Sequence, residues 1–436
     1  MVAHLAAWSR LYFYPSNAEP GDPAMRVAFI LDRFPLLSET FIVNQLAGLI
    51  DRGVVPDIYA LNRGDTQQMH VDVQRYHLLD KVTYAPDLPA GKIGRLLSGA
   101  GLFARLLPRN PRAAMGCVNP CKHGHLATSM RLIHTAAPFF TAKRYDVVHC
   151  NFGHIGQAMA TLRSMGLMPG KLVVQYYGFD ASQRPKMEPA GYYDQLFAQA
   201  SAVMALSNYM TKQLADLGCP QDKLVIHRTG ADGTKFIYKP RTLTPGEPIR
   251  IISIARLQEK KGLEYAIDAI ARIAAQRQDF IYQIIGDGPL RQPLEAQIQK
   301  LGLSDRIELL GWKVQEQVRE LLDQSHLLLT PSVTARAGDQ EGTPTVIVEG
   351  AMMGLPVLST LHSGIPDMVL DGTSGYLVPE RDVDALAASL CKLMDQPQDW
   401  PQMGKAGSDH IRKLFDVNGL NDQLVDIYRQ VIATTD

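Results

Sequence analysis

The sequence predicts an α/β protein built from two doubly wound domains, each a parallel sheet with helices on both faces. Three observations predict it. Short apolar runs bounded by polar loops alternate with helical patterns along almost the whole chain. The loops that carry the chemically suggestive residues each follow the end of a predicted strand, where such sheets place ligands. The rhythm breaks between Lys239 and Pro248, where Pro240, Pro245, Gly246 and Pro248 fall within nine residues, so the linker is placed there. A length of 436 residues agrees with two or three domains.

Residues 1–24 hold one Arg, a short apolar start and then Pro15, Pro20 and Pro23, which makes a poor signal peptide. They read as an extension or a misassigned start. The expected divisions are 25–240 for the first domain, 241–415 for the second and 416–436 for a last helix. Arg26 to Leu31 reads as a buried first strand. It leads into Ser38 and Glu39, which either cap the following helix or face a ligand. Strands follow at Val55 to Leu61, Tyr145 to Cys150 (with exit loop Asn151 to His154), Lys171 to Tyr177, Ser201 to Leu206 and Leu224 to His227. In the second half, strands are expected at Arg250 to Ile254, Tyr282 to Ile285, Arg306 to Leu310, His326 to Thr330 and Pro356 to Thr360.

Lys and Arg total 44, as do Asp and Glu, so net charge points to no nucleic-acid partner. Five scattered Cys read as a reducing compartment without disulfides, and no apolar run reaches membrane-spanning length. Residues 88–145 stand apart, with nine Lys or Arg and no Asp or Glu. Leu96, Leu97, Leu102, Phe103, Leu106 and Leu107 are interleaved with them, a composition suited to an anionic membrane face. Cys117, Cys121, His123 and His125 lie in the same stretch. Their spacing is irregular and lacks a second half, so no metal site is assigned.

The stretch Glu341-Gly342-Thr343-Pro344-Thr345-Val346-Ile347-Val348-Glu349 reads as a loop entering a short helix, with Thr343 as cap and Pro344 at the first position. Two carboxylates eight residues apart would lie roughly 12 Å from one another if the span were helical. The helix start between them favours a phosphate. Arg256 and Lys261 share one loop and suit a diphosphate, Arg as a fork and Lys as a point charge. Gly286-Asp287-Gly288 follows another strand as a tight turn.

Glu-x7-Glu, flanked by Pro331-Ser332 and Gly354-Leu355-Pro356-Val357, resembles the retaining glycosyltransferases of family four. Phe34 to Phe41, Ala255 to Gly262 and Ser359 to Pro366 are similar to the enzymes that build colanic acid and related exopolysaccharides. The resemblance covers about residues 25–435 and implies the GT-B architecture, two Rossmann-like domains facing across a cleft, with the last helix returning to the first domain. It implies that Glu341 holds sugar hydroxyls and Glu349 the ribose. Arg256 and Lys261 would hold the diphosphate, and Gly286, Asp287, Gly288, Gly342, Thr343, Pro344 and Thr345 would line the donor site.

The resemblance further implies a nucleoside-diphosphate sugar as donor, UDP before GDP, with no further cofactor. Arg256 and Lys261 can do the work that a divalent metal does elsewhere, so no metal is expected. The acceptor would be a lipid-linked saccharide at the cytoplasmic face of the membrane. Many relatives carry His-Gly-x-Asp where this chain has Tyr177-Gly178-Phe179-Asp180, which leaves His154 or Asp180 for acceptor-side work beside Tyr177, Ser38 and Glu39. A nucleotide-sugar epimerase of the same fold and a non-catalytic nucleotide-sugar-binding protein are the alternatives.

Overall fold

The computed structural model describes residues 25–36, 39–66 and 69–434. Ser38 and residues 1–24 lie outside them. Seven strands form the first sheet: β1 (Val27–Phe34), β2 (Asp57–Arg63), β3 (Val82–Tyr84), β4 (Val147–Asn151), β5 (Lys171–Gln175), β6 (Ala200–Ala205) and β7 (Leu224–Ile226). Their order is β3-β2-β1-β4-β5-β6-β7, and every pairing is parallel. Six strands form the second: β8 (Ile249–Ile254), β9 (Phe280–Ile285), β10 (Ile307–Gly311), β11 (Leu327–Thr330), β12 (Val357–Thr360) and β13 (Gly375–Val378). Their order is β10-β9-β8-β11-β12-β13, again all parallel.

Both orders reverse direction once, between β1 and β4 and between β8 and β11. At such a point the connecting loops diverge to opposite faces and open a crevice at the strands' carboxyl ends. The loop leaving β1 carries Glu39 and the helix start after β4 carries His154; the loops leaving β8 and β11 carry Lys261 and Glu341. The candidate residues thus gather at the two places where the topology leaves room for a ligand.

Each sheet is buried on both faces, as a parallel sheet requires. One face of the first sheet is covered by the helix Thr40–Asp51 and by the helix Val417–Ala433, which brings Leu424, Ile427 and Tyr428 into the same core as Ile42 and Leu46. Arg52 Nε pairs with Asp422 Oδ1 at 2.6 Å, and the Tyr428 hydroxyl meets His149 Nδ1 on β4. The chain therefore crosses between domains twice. Both crossings meet where Ala231 donates to the Phe415 carbonyl at 3.1 Å and accepts from Val417 N–H at 3.1 Å. Ala231 and Phe236 already belong to the core of the second domain, and Arg241 is buried against the Asp323 and Met353 carbonyls. The chain changes domain ahead of the Pro- and Gly-rich stretch, which lies on the second domain.

The basic stretch 88–145 divides its apolar residues between two surfaces. Leu106, Cys117, Leu132 and Ile133 enter the core against the first sheet, with Leu102 and Phe103 packed beside them. Ile93, Leu96, Leu97, Met115 and Leu126 remain exposed. Cys117 is buried while Cys121 is exposed. Among the described residues no helix is long and apolar enough to cross a membrane.

Truncating Leu424, which is fully buried between the last helix and the first sheet, should cost about 2–5 kcal/mol in urea unfolding. A loss under about 1 kcal/mol, within what exposed substitutions give, would show that the helix Val417–Ala433 is not part of that core.

Candidate active site

The second-domain side is assembled by backbone packed on backbone. Gly286 has φ +135°, and a Cβ there would lie 1.8 Å from the Ala255 carbonyl oxygen; Gly288 has φ +158° and faces Leu257. Leu257 N–H donates to the Asp287 carbonyl at 2.9 Å. The Gly286-Asp287-Gly288 turn is thereby fixed on the loop that carries Arg256. Val333 N–H donates to the Lys260 carbonyl at 2.9 Å, and Lys260 pairs with Asp339 at 3.0 Å, joining that loop to the one that carries Glu341.

Lys261 and Glu341 meet at the junction. Nζ lies 2.8 Å from Oε1, an ion pair. Glu341 is 7 % exposed. Burial pushes its carboxyl up, but the Lys261 and Lys260 ammonium groups outweigh this and hold it below the usual carboxylate range. Arg256, five residues before Lys261, is exposed, and its guanidinium has no hydrogen-bond or ion-pair partner among the described residues.

The helix that follows spans Thr345–Met352. The expected Thr343 cap is not formed. Pro344 occupies the cap position with no side-chain hydrogen bond, because Thr343 Oγ1 is 2.9 Å from Thr229 Oγ1 of the opposite domain. The helix start is left without a side-chain cap, an arrangement open to an anion. Gly354, at φ +89°, ends the helix. Glu349 lies in its second turn, partly buried, with no partner for its carboxylate among the described residues. Desolvation pushes it up to about 7.

On the first-domain side the candidates separate into two kinds. Asp180 is fully buried and accepts from Gly153 N–H at 2.6 Å and Tyr177 N–H at 2.7 Å, tying together the loops after β4 and β5. Burial raises its carboxyl to about 6 against those N–H groups. Asp180 is sealed from solvent and each oxygen is held by a backbone N–H, so it organises the loop. Tyr177 donates its hydroxyl to Asn151 Oδ1 at 2.6 Å and packs between Phe41 and Phe152, so it too is a framework residue.

Glu39 and His154 keep unused atoms. Glu39 stands at the cap position of the helix Thr40–Asp51 but makes no capping bond; burial, then Asp32, pushes its carboxyl up to about 7. His154 stacks on Phe152 with its buried Nδ1 unpartnered, and burial lowers its pKa despite Asp32.

The two sides touch. A Cβ on Gly178 would lie 2.5 Å from the Gln340 carbonyl oxygen and 2.9 Å from Gly342 N. The Tyr177-Gly178-Phe179-Asp180 loop thus rests against the loop of Glu341. Asp367 accepts from Asn208 N–H at 2.9 Å and Asn208 Nδ2 at 3.0 Å, binding the second domain to a helix start of the first. Asp367, Asn151, Gln340, His362 and Glu380 were not singled out from the sequence. His362 lay in a noted strand-exit loop, but its contacts arise only in the fold. One Asp-x-Asp, a pattern that can hold a metal ion, stands at 382–384. Asp382 caps a helix by accepting from Ala385 N–H at 2.9 Å, and Asp384 pairs with Arg272, so both serve the fold.

An unpaired, partly buried carboxylate destabilises the free protein once it ionises. With Glu349 raised to about 7, its favourable contribution is complete below the unfolded value near 4.5 and is lost as the pH rises through 7. Glu349→Gln should therefore stabilise the ligand-free protein by about 2–3 kcal/mol at pH 8, and by little at acid pH. Urea midpoints at the two pH values measure it; equal shifts at both would show that ionisation of Glu349 is not the cause.

Residues 38–230 match the glycosyl transferase 4-like domain family and residues 235–410 the glycosyl transferases group 1 family. WcaL of Salmonella typhimurium, named as a colanic acid biosynthesis glycosyltransferase, is 35 % identical over 93 % of this chain and 100 % of its own. The amylovoran biosynthesis glycosyltransferase AmsK of Erwinia amylovora is 34 % identical over the same shares, 93 % and 100 %. The crystal structure of Anabaena HepE in complex with UDP and glucose superposes with a TM-score of 0.67 at 19 % identity, covering 93 % of this chain and 100 % of that one. This last likeness shows the GT-B fold. With two parallel-sheet domains that meet through strand-end loops and relatives of this identity along nearly its full length, the chain belongs to the family-four glycosyltransferases and is a hexosyltransferase.

Proposed function

We propose that this enzyme transfers a hexose, with retention of anomeric configuration and without a metal ion, from a UDP-sugar to a lipid-linked oligosaccharide during exopolysaccharide or lipopolysaccharide assembly. The observation that carries the reading is the Lys261–Glu341 pair beside an uncapped helix start, with the unpaired carboxylate of Glu349 eight residues on. Arg256 and Lys261 face the diphosphate, whose charge grows as the anomeric carbon–oxygen bond breaks, so they bind the transition state more tightly than the substrate. Glu341 holds the sugar hydroxyls and Glu349 the ribose. The acceptor hydroxyl attacks from the face the phosphate leaves, and its proton passes to a phosphate oxygen as the new carbon–oxygen bond forms. That step needs no dedicated base, which agrees with Tyr177 and Asp180 being engaged in the fold. Glu39 and His154 orient the acceptor.

HepE was solved with UDP and glucose, which supports the choice of donor. The names of WcaL and AmsK support the polymer class. Nine basic residues and the exposed Ile93, Leu96 and Leu97 support docking at the cytoplasmic membrane face, where a lipid-linked acceptor resides.

Incubated without metal, one member of a panel of UDP- and GDP-hexoses should raise the thermal midpoint by mass action and turn over with a lipid acceptor. Lys261→Ala should lower kcat/KM about a hundredfold or more. If the folded protein binds none of the panel, the donor reading fails. If the carboxylate form of Glu349 is the one that holds ribose, UDP affinity should fall as the pH drops below 7, and Glu349→Gln should abolish that dependence. Replacing Ile93, Leu96 and Leu97 together by Ser should release the protein from anionic vesicles while leaving donor affinity unchanged. Undiminished vesicle binding would remove this surface from the membrane reading.

A further inference from the structure

The backbone of Glu341 is held on both sides by the loop that leaves β12. Its N–H donates to His362 Nε2 at 3.0 Å, and its carbonyl accepts from Ser363 Oγ at 2.6 Å. His362 is fully buried, and its other nitrogen, Nδ1, lies 2.6 Å from Glu380 Oε1. A nitrogen that accepts from a backbone N–H carries no proton, so the proton of the neutral ring sits on Nδ1 and is donated to Glu380. Glu380 is held in turn: it accepts from Thr334 N–H at 2.8 Å and from Thr334 Oγ1 at 3.2 Å, with Arg381 Nη1 at 3.4 Å. Thr334 Oγ1 also accepts from Gln340 Nε2 at 3.1 Å, one residue before Glu341. The chain of contacts begins and ends on the same loop.

We propose that His362, fixed in its Nδ1–H tautomer by Glu380, is a positioning residue that holds the Glu341 backbone and so sets where the Glu341 carboxylate meets the donor sugar. Neither His362 nor Glu380 needs to touch the substrate. His362 selects one backbone orientation for Glu341 because only an acceptor at Nε2 satisfies that N–H. Glu380 makes Nε2 the acceptor by taking the Nδ1 proton, the way a carboxylate fixes an imidazole tautomer at metal and triad sites. The arrangement leaves the Glu341 side chain to Lys261 and the ligand. This inference rests on the proposed role of Glu341 toward the sugar.

The test compares the parent enzyme with His362→Ala, His362→Gln and Glu380→Gln. UDP and GDP, free and as hexose conjugates, serve as ligands. Removing the acceptor loosens Glu341 but leaves Arg256, Glu349 and the helix start in place. His362→Ala should therefore lose tenfold or more in kcat and in affinity for the nucleotide sugar, while affinity for the free nucleotide changes less than threefold. Gln at 362 offers an oxygen near the position of Nε2 and should recover most of the loss; Glu380→Gln should fall between Ala and the parent.

A general packing defect would weaken nucleotide and nucleotide sugar alike, and that result would overturn the proposal, as would parent-like kinetics in His362→Ala. Should the Ala variant fail to fold, the other two carry the comparison, and parent-like values in Glu380→Gln would overturn the role of Glu380. Nitrogen-15 spectra of labelled histidine, with the His362 signal assigned by its loss in His362→Gln, read the tautomer without any donor. The Nδ1–H form is expected, and an Nε2–H or doubly protonated ring in the parent at neutral pH would overturn the relay. If the parent binds no nucleotide sugar, the functional reading fails by itself and the spectra still decide the relay.

Discussion

The site depends on a carboxylate kept ionised where burial opposes it. Glu341 is nearly sealed from water, and its charge is supported by Lys261 at 2.8 Å and by Lys260 close by. A buried pair of this kind gains little net stability, because the attraction only offsets the desolvation of both ions. Removing either partner leaves the other exposed to the full penalty. That constraint explains the surrounding architecture: three loops from β8, β9 and β11 are bonded backbone to backbone so that the ammonium and the carboxylate cannot drift apart. The same pair is suited to exchange partners. A diphosphate can take Lys261, and sugar hydroxyls can take Glu341, with no charge left unmatched.

The glycines make this loop packing possible. At Gly286 the position of a Cβ is already filled by the carbonyl oxygen of Ala255, and at Gly178 by the backbone of the other domain. In both places a side chain would push apart loops that must be in contact for the site to exist. The close approach at Gly178 also gives physical content to the departure from the relatives' motif. Tyr177 next to it is buried among aromatic rings with its hydroxyl bonded to Asn151, so the larger side chain is absorbed by the fold.

Much of this was legible in the sequence. Eleven of the thirteen strands could be read as apolar runs with ligand loops at their ends. Two short edge strands, Val82–Tyr84 and Gly375–Val378, could not, because three or four residues carry too little periodicity to register. The pairing of Lys261 with Glu341 could be guessed as shared membership of a site but not as contact, since eighty residues separate them. Thr343 had the right type and place for a helix cap, yet a threonine from the other domain took its hydroxyl, which is tertiary context overriding a local preference. Asp180 read as an acceptor-side candidate, and its part in tying two loops together shows only in the two N–H groups trained on it. His362 and Glu380 were out of reach because their meaning lies wholly in what they touch.

The helix Val417–Ala433 completes the core of a domain whose strands all lie before residue 230. On the ribosome this has a consequence for the order of events. The first sheet emerges early, but the part of its core that the last helix covers, beside the helix Thr40–Asp51, stays open while nearly two hundred further residues are made, roughly ten to forty seconds at ordinary synthesis rates. The second domain has its sheet and both cores encoded within that interval. The domain translated first is thus the one finished last, and its waiting surface is where a chaperone would be expected to bind the nascent chain.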